Sequence, residues 1–188
     1  MPKKLILLIG APGAGKTTDA KLIAKKHSGS ITSYSTGELI RKEIENETAI
    51  GKIAKDFVAK GNLVPTAIVV DMIVGVIKSS PTEIVLLDGF PGKEKQMQHF
   101  CDFVFKKKGD IQLISVIEVR VNEDIARERC LASGKSEEIF QNELSAYTEA
   151  INVIEEHYED KNILKVIDGE RDLAEVVADI DTFLISKI

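Results

Sequence analysis

Residues 10–17 have the types and spacing of a phosphate-binding turn. The segment reads Gly-Ala-Pro-Gly-Ala-Gly-Lys-Thr, which matches the pattern G-x-x-x-x-G-K-[ST] and follows an apolar run with the character of a strand. Glycines leave room for backbone N–H groups to converge on phosphate oxygens, and the N-terminus of the next helix adds partial positive charge. We expect Lys16 to neutralise the β- and γ-phosphates of a nucleoside triphosphate, and the Thr17 hydroxyl to help hold Mg²⁺. The predicted triphosphate-binding residues are Gly10, Ala11, Gly13, Ala14, Gly15, Lys16, Thr17 and Thr18.

This turn indicates a bound triphosphate but not a reaction, because kinases, GTPases and motor proteins share it. The sequence contains no N-K-x-D guanine signature, which disfavours a GTPase. The residues that bind the acceptor of the phosphoryl group must therefore lie elsewhere in the chain.

Apolar runs alternate with helical patterns along the chain, and together they must position the turn. In residues 138–158 and 171–187, apolar side chains recur at steps of three and four, as in amphipathic helices. The capping-box spacing from Ser35 to Glu38 and the Asn122 cap predict two further helix starts. The candidate strands are 5–9, 84–87, 113–119 and 163–167, with a weaker one at 30–33. This alternation predicts an α/β fold, a P-loop NTPase-type parallel five-stranded sheet flanked by helices.

Composition narrows the function classes. The chain has 188 residues, a length that suits one domain, and its net charge of −5 argues against a nucleic-acid binder. A short lysine run lies at 106–108, and we interpret it as a solvated helix end. The apolar run at 5–9 is too short to cross a membrane, and no cleavage-type segment follows it, so we expect a cytoplasmic protein. Cys101 and Cys130 are isolated, which favours free thiols over a disulfide or a zinc site.

Three further segments identify a family resemblance. They read S-T-G-E-L-I-R at 35–41, G-N-L-V-P at 61–65 and L-D-G-F-P at 87–91, and Gln96 follows five residues later. In this order and spacing they resemble the adenylate kinase family, especially its bacterial short-lid members, from the phosphate-binding turn to the C-terminal helix. The resemblance implies a nucleoside monophosphate kinase that transfers the γ-phosphoryl group of ATP to AMP with Mg²⁺, acting as a monomer. It also implies a core (1–34, 66–129, 138–188), an NMP-binding lobe at about 35–65 and a short lid at about 130–137.

The same resemblance assigns roles to individual residues. Arg41 offers a planar, bidentate donor to the AMP phosphate, and Asp88 orders Mg²⁺ through water. Gln96 resembles the purine-reading amide, which can both donate to and accept from an adenine edge. The implied catalytic residues are Lys16, Arg41 and Asp88; the AMP contacts are Thr36, Gly37, Arg41, Leu63, Val64, Gly89, Phe90 and Gln96; the contacts to the ATP base are Arg129 and Arg171.

Each of these residues also has a simpler explanation when it is taken singly. Asp88 could cap a turn, and Gln96 could be an ordinary surface residue. Arg41 could form an ion pair with Glu38 or Glu45 on its own helix.

The sequence departs from the family pattern where arginines are usual. Gly92 follows the D-G-F-P segment, Ser133 stands four residues after Arg129, and Glu143 precedes Leu144. The lid segment is short and lacks the usual aspartate pair, although Lys135 retains one positive charge there. Because phosphoryl transfer depends on cations around the moving group, we expect weakened activity. Two alternatives stay open: a catalytically impaired paralogue that binds adenine nucleotides as a sensor or partner protein, and a kinase for another acceptor.

Overall fold

The computed structural model describes residues 2–106 and 110–188, so Lys107 and Lys108 of the lysine run lie outside the described residues. The described part contains five strands and eight helices. The strands are β1 (Lys3–Ile9), β2 (Ile31–Ser35), β3 (Ile84–Asp88), β4 (Ile111–Arg120) and β5 (Leu164–Asp168). The helices are α1 (Lys16–Lys26), α2 (Thr36–Glu45), α3 (Ala49–Ala59), α4 (Thr66–Ser79), α5 (Glu94–Lys106), α6 (Glu123–Ala132), α7 (Glu137–Asp160) and α8 (Leu173–Ile185).

The five strands form one parallel sheet in the order β2-β3-β1-β4-β5. The predicted fold class is therefore confirmed, and all five candidate strands are present with small shifts at their ends. Strand β1 is central and apolar because helices cover both faces of the sheet. Leu5 and Leu7 belong to one hydrophobic core, whereas Ile6 and Leu8 belong to the core on the opposite face.

Two of the predicted helix starts differ in how they are capped. Asn122 Oδ1 accepts a hydrogen bond from Ile125 N at 2.9 Å, as an N-cap should. Ser35 occupies the N-cap position of α2, but its side chain makes no capping hydrogen bond. The expected capping box is wrong in this respect, because Ser35 is the last residue of β2 and Glu38 pairs instead with Lys21 of α1.

The predicted apolar stripes of the two C-terminal helices contribute to the hydrophobic clusters, with one exception. Phe140, Ile154 and Tyr158 of α7 are buried, and so are Val176, Ile180 and Leu184 of α8. Leu173, in contrast, is 48% exposed. It is the first residue of α8, where the chain enters the helix from a loop.

The register of the parallel strands brings their carboxyl ends to one edge of the sheet. Leu8 of β1 is paired with Asp88 of β3, and Ser35 of β2 is paired with the same residue. Ile9 is paired with Glu118 of β4. Ligands of open parallel sheets bind at this edge. None of the helices among the described residues is long and apolar enough to cross a membrane.

A buried carboxylate joins the C-terminal helix to the end of α1. Asp181 accepts a hydrogen bond from Lys26 Nζ at 2.6 Å, and its other oxygen lies 2.5 Å from His27 Nε2. Burial alone would raise the pKa of Asp181, but the hydrogen bonds from Lys26 and His27 hold it below its usual value. A lowered pKa in the folded state means that this stabilisation is present at neutral pH and is lost as the pH falls through that pKa.

We predict that Asp181→Ala lowers the free energy of unfolding at pH 7 by about 1–2 kcal/mol, because two donors lose their acceptor. Urea unfolding followed by circular dichroism measures this change, and the deficit should shrink below about pH 4. Asp179→Ala is the matched control, since Asp179 lies on the same helix in an exposed ion pair with Arg171. This substitution should change the free energy of unfolding by less than about 0.5 kcal/mol. Equal losses in the two variants would contradict this prediction.

Candidate functional site

The phosphate-binding turn lies between β1 and α1 and packs against α6. Gly13 has a φ of +83°, and a Cβ placed on it would lie 2.2 Å from Ala126 O and 3.0 Å from Cys130 Sγ. A side chain at this position would therefore collide with the backbone of α6, and the positive φ would be strained as well. Inside the turn, Ala14 N donates to Ala11 O at 3.1 Å. The turn is thus compact and is supported from outside by a helix.

Lys16 points into this turn. Its Nζ donates to Ala11 O at 2.7 Å, so the ammonium lies among the backbone groups of residues 10–17. Burial lowers the pKa of Lys16, and the negative charge of Asp88 opposes that effect. The arrangement puts a poorly solvated cation where the motif predicts phosphate oxygens.

Asp88 ends β3 directly beside the turn and is only 3% exposed. The Thr17 hydroxyl donates to Asp88 Oδ2. The second oxygen, Oδ1, is buried and has no hydrogen-bond partner in the described part of the chain. A buried carboxylate oxygen without a partner beside a hydroxyl group suits a hard cation such as Mg²⁺, which takes oxygen ligands. The side chain of Asp88 therefore faces the turn instead of capping one of its own.

Asp19 is a buried carboxylate that the sequence analysis missed. It lies on α1 beside the same turn, and its Oδ2 has no hydrogen-bond partner among the residues described. Burial and the charge of Asp88 raise the pKa of Asp19 to about 6. A signal was present in the sequence, because Asp19 precedes the buried Ile23 by four residues and so shares its helix face.

The first residue of α2 is hydrogen-bonded to the same edge of the sheet. Thr36 Oγ1 donates to Asp88 O at 2.9 Å. Arg41 is exposed one turn further along, with its Nη1 3.3 Å from the Cβ position of Gly37. Within residues 2–106 and 110–188 no carboxylate lies within 4.0 Å of the Arg41 guanidinium, and Glu38 binds Lys21. The ion pair on its own helix is therefore not formed, and the guanidinium can bind a ligand.

Gln96 is buried, so its interpretation as an ordinary surface residue is wrong. Its side chain is 3% exposed, and its Oε1 accepts a hydrogen bond from Gly92 N at 2.8 Å. A Cβ at Gly92 would lie 3.2 Å from Leu63 Cδ2. The structure thus brings Leu63 next to Gly92 and Gln96, which belong to a later segment of the chain. Two residues close to them in sequence, Val64 and Phe90, are also buried, whereas Gly89 is exposed.

The two residues predicted to contact the ATP base both donate hydrogen bonds to backbone carbonyls at or just after the end of β5. Arg129 of α6 donates from Nη1 to Gly169 O at 3.0 Å. Arg171 follows in the same loop, where its Nε donates to Asp168 O at 3.4 Å and its Nη2 binds Asp179. Both arginines are therefore held where β5 ends. Thr18 is exposed at the start of α1.

The predicted lid is the short turn between α6 and α7. Gly134 has a φ of +92°, and Ser133 Oγ donates to Cys130 O at 2.7 Å, which closes the end of α6. Lys135 Nζ lies 2.5 Å from Glu143 Oε2 of α7. Arg127 of α6 is another cation close to the lid in sequence, and it forms an exposed ion pair with Glu137 at 2.6 Å.

Comparison with known proteins identifies the family. A family model described as "Adenylate kinase" matches residues 8–163, which is most of the chain. The chain belongs to the adenylate kinase family. A protein named adenylate kinase from a Sulfurovum species is 46% identical over 197 residues, covering 99% of this chain and 100% of the relative. One from a Nitratiruptor species is 47% identical over 190 residues, covering 99% and 97%. One from Wolinella succinogenes is 44% identical over 190 residues, covering 99% and 100%.

In this member of the adenylate kinase family, we predict that Gly13→Ala disrupts the turn. The added methyl group meets Ala126 O at 2.2 Å, so the turn or α6 must move. Calorimetric titration with ATP should show at least about a tenfold loss of affinity, and urea unfolding a loss of about 2 kcal/mol or more. Gly29→Ala is the control, because its Cβ position has no heavy atom of the described chain within 4 Å. An unchanged affinity for ATP in Gly13→Ala would refute the role of the turn.

Proposed function

We propose that this chain transfers the γ-phosphoryl group of ATP to AMP and forms two molecules of ADP. The observation that carries the proposal is the common edge at which the phosphate-binding turn, Asp88 and the start of α2 meet. Triphosphate and monophosphate sites that open on one edge allow the AMP phosphate to attack the γ-phosphorus in line. The names of the relatives support the same reaction.

The triphosphate would lie in the turn formed by residues 10–17. The N–H groups of the turn and the Lys16 ammonium neutralise the β- and γ-phosphates. Thr17 and Asp88 would hold Mg²⁺, partly through water, and the buried oxygen of Asp88 fits this task. Mg²⁺ supplies positive charge to the phosphate oxygens when it is bound. Arg129 and the loop at Arg171 would line the base of ATP.

The acceptor would bind on the side of α2. Arg41 reaches the AMP phosphate as a bidentate donor, and Gln96 reads the edge of the purine. The other AMP contacts that we propose are Thr36, Gly37, Leu63, Val64, Gly89 and Phe90. Helices α2 and α3 fall inside the proposed NMP-binding lobe at about 35–65. This lobe touches the start of α7, where Asn142 Nδ2 donates to Lys60 O at 2.7 Å.

The chemistry requires positioning and positive charge more than a proton-transfer group. The AMP phosphate is already an anion at neutral pH, so no residue has to activate it. Catalysis then rests on alignment of the two substrates and on cations that surround the moving phosphoryl group. Lys16 and Arg41 would supply such cations, and the short lid at about 130–137 would cover them.

The alternative, an impaired nucleotide-binding paralogue, finds no support in the comparisons, since the relatives are named adenylate kinases. Gly92, Ser133 and Glu143 bear on the rate of the reaction and not on its type. We retain as predictions that the chain acts as a monomer and that it works in the cytoplasm.

The first test is formation of ADP from ATP and AMP by the purified protein with Mg²⁺ in a coupled assay. We predict turnover above background at millimolar nucleotides, and a loss of at least about 100-fold in kcat for Lys16→Met, because the phosphates lose their main cation. Lys25→Met on the exposed side of the same helix is the control and should leave turnover unchanged. Replacement of AMP by CMP or UMP should reduce turnover; equal rates with all three acceptors would contradict the assignment of Gln96.

A second test addresses the positions where arginine is usual in the family. We predict that Gly92→Arg combined with Glu143→Arg raises turnover at least about tenfold, because two cations approach the phosphoryl group. The contact that a side chain at Gly92 first meets is the flexible end of Leu63 at 3.2 Å, which can move aside. Gly92→Ala combined with Glu143→Ala controls for the loss of the native residues alone. Similar rates in both double variants would show that charge at these two positions does not limit the reaction.

A further inference from the structure

An ion pair between Lys135 of the lid and Glu143 of α7 lies near the phosphate-binding turn. The proposed function assigns no role to this pair. Lys135 Nζ lies 2.5 Å from Glu143 Oε2, and the two side chains are 37% and 31% exposed. Ion pairs that reach water contribute little to folding stability. The Lys135 ammonium can therefore exchange the carboxylate for another anion without loss of the fold.

Contiguous contacts connect this pair to the turn. A Cβ on Gly13 would lie 3.0 Å from Cys130 Sγ, so α6 touches the turn at Cys130. Lys135 N donates to Cys130 O at 3.3 Å, and this hydrogen bond fixes the start of the lysine side chain next to the same residue. The position of Lys135 relative to the turn is therefore set by backbone contacts and not by a free loop.

The charges of the pair also act on Lys16. Burial is the largest cause that lowers the pKa of Lys16, and the charge of Asp88 opposes it. Lys135 lowers this pKa further, whereas Glu143 raises it by a smaller effect. The charges of both members of the pair therefore act on the turn.

We propose that Glu143 weakens the binding of polyphosphate in the turn by competing with phosphate oxygens for the Lys135 ammonium. This inference rests on the proposed function and deepens it. A triphosphate carries several negative charges, so it draws the ammonium away from a single carboxylate. The exchange consumes part of the binding free energy, because the contact between Lys135 and Glu143 has to be broken. Glu143 thus determines affinity for triphosphate, and Lys135 is the residue through which it acts.

The test is calorimetric titration of the full-length protein with Mg-ATP and, separately, with inorganic tripolyphosphate. Glu143→Gln keeps the shape of the side chain and removes its charge, so it should lower the Kd for both ligands by about three- to tenfold. Lys135→Met should raise both Kd values by a similar factor. In the Lys135→Met background, Glu143→Gln should change Kd by less than about twofold, because little remains to compete for.

Glu149→Gln is the matched control, since it removes a carboxylate from an exposed position of the same helix and should leave Kd unchanged. Normal binding of ATP by the wild-type chain together with an unchanged or weaker affinity in Glu143→Gln would overturn this inference and leave the proposed function intact. Weaker binding in that variant would mean that Glu143 supports Lys135 instead of competing for it. Failure of the wild-type chain to bind ATP at all would overturn the proposed function itself, and the inference with it.

Discussion

The parallel pairing of β1 with β3 is the constraint on which the rest of the site depends. It places Leu8 opposite Asp88, so the phosphate-binding turn leaves the sheet beside a buried carboxylate. Gly89 N donates to Leu8 O at 3.1 Å and continues this pairing past the end of the strand. Thr17 and Thr36 then bind Asp88 from two different helices. One strand register thus brings the triphosphate side and the acceptor side to a common point.

The charges around that point are closely balanced. Three cations, Lys16, Lys135 and Arg129, face three carboxylates, Asp19, Asp88 and Glu143. Asp88, Lys135 and Glu143 shift the pKa of Lys16, and Arg129 lowers that of Asp19. Asp19 is itself influenced by Lys16 and by Asp88. In a poorly solvated site such charges interact strongly. A substrate that brings negative charge and a divalent cation therefore alters the electrostatic interactions of all these groups at once. A nearly neutral cradle releases polyphosphate more easily than one lined only by cations, which suits an enzyme that must also release its product.

The proposed NMP-binding lobe is attached to this centre by apolar packing and by polar contacts. Ile40, Ala54 and Val64 belong to the same hydrophobic core as Leu5 and Leu7 of β1. Its polar contacts with the rest of the described chain include the Thr36 hydrogen bond, the ion pair between Lys21 and Glu38, and the contact of Lys60 with Asn142. Two of these three contacts involve exposed side chains, which stabilise a structure only weakly.

Local sequence patterns determined the fold class and most of the elements. A continuous apolar run, a glycine-rich turn and a lysine predict a strand, a phosphate site and a helix, because each depends on neighbours in the chain. The same holds for the Asn122 cap and for the buried faces of α7 and α8. Leu173 departed from its stripe, and Ser35 from its expected capping bond, because their surroundings at the ends of elements come from the fold and not from spacing.

What only the tertiary structure decided are the contacts between distant segments. Spacing could not show that Glu38 pairs with Lys21 instead of Arg41, nor that Gln96 is buried against Gly92 and Leu63. Spacing also did not predict that Asp19 is buried, or that Lys135 forms an ion pair with Glu143 near Lys16. Sequence by itself determined which chemical groups are present and which elements carry them. Strand order and helix packing decided which charges face each other, since electrostatic partners are set by distance in space and not by distance along the chain.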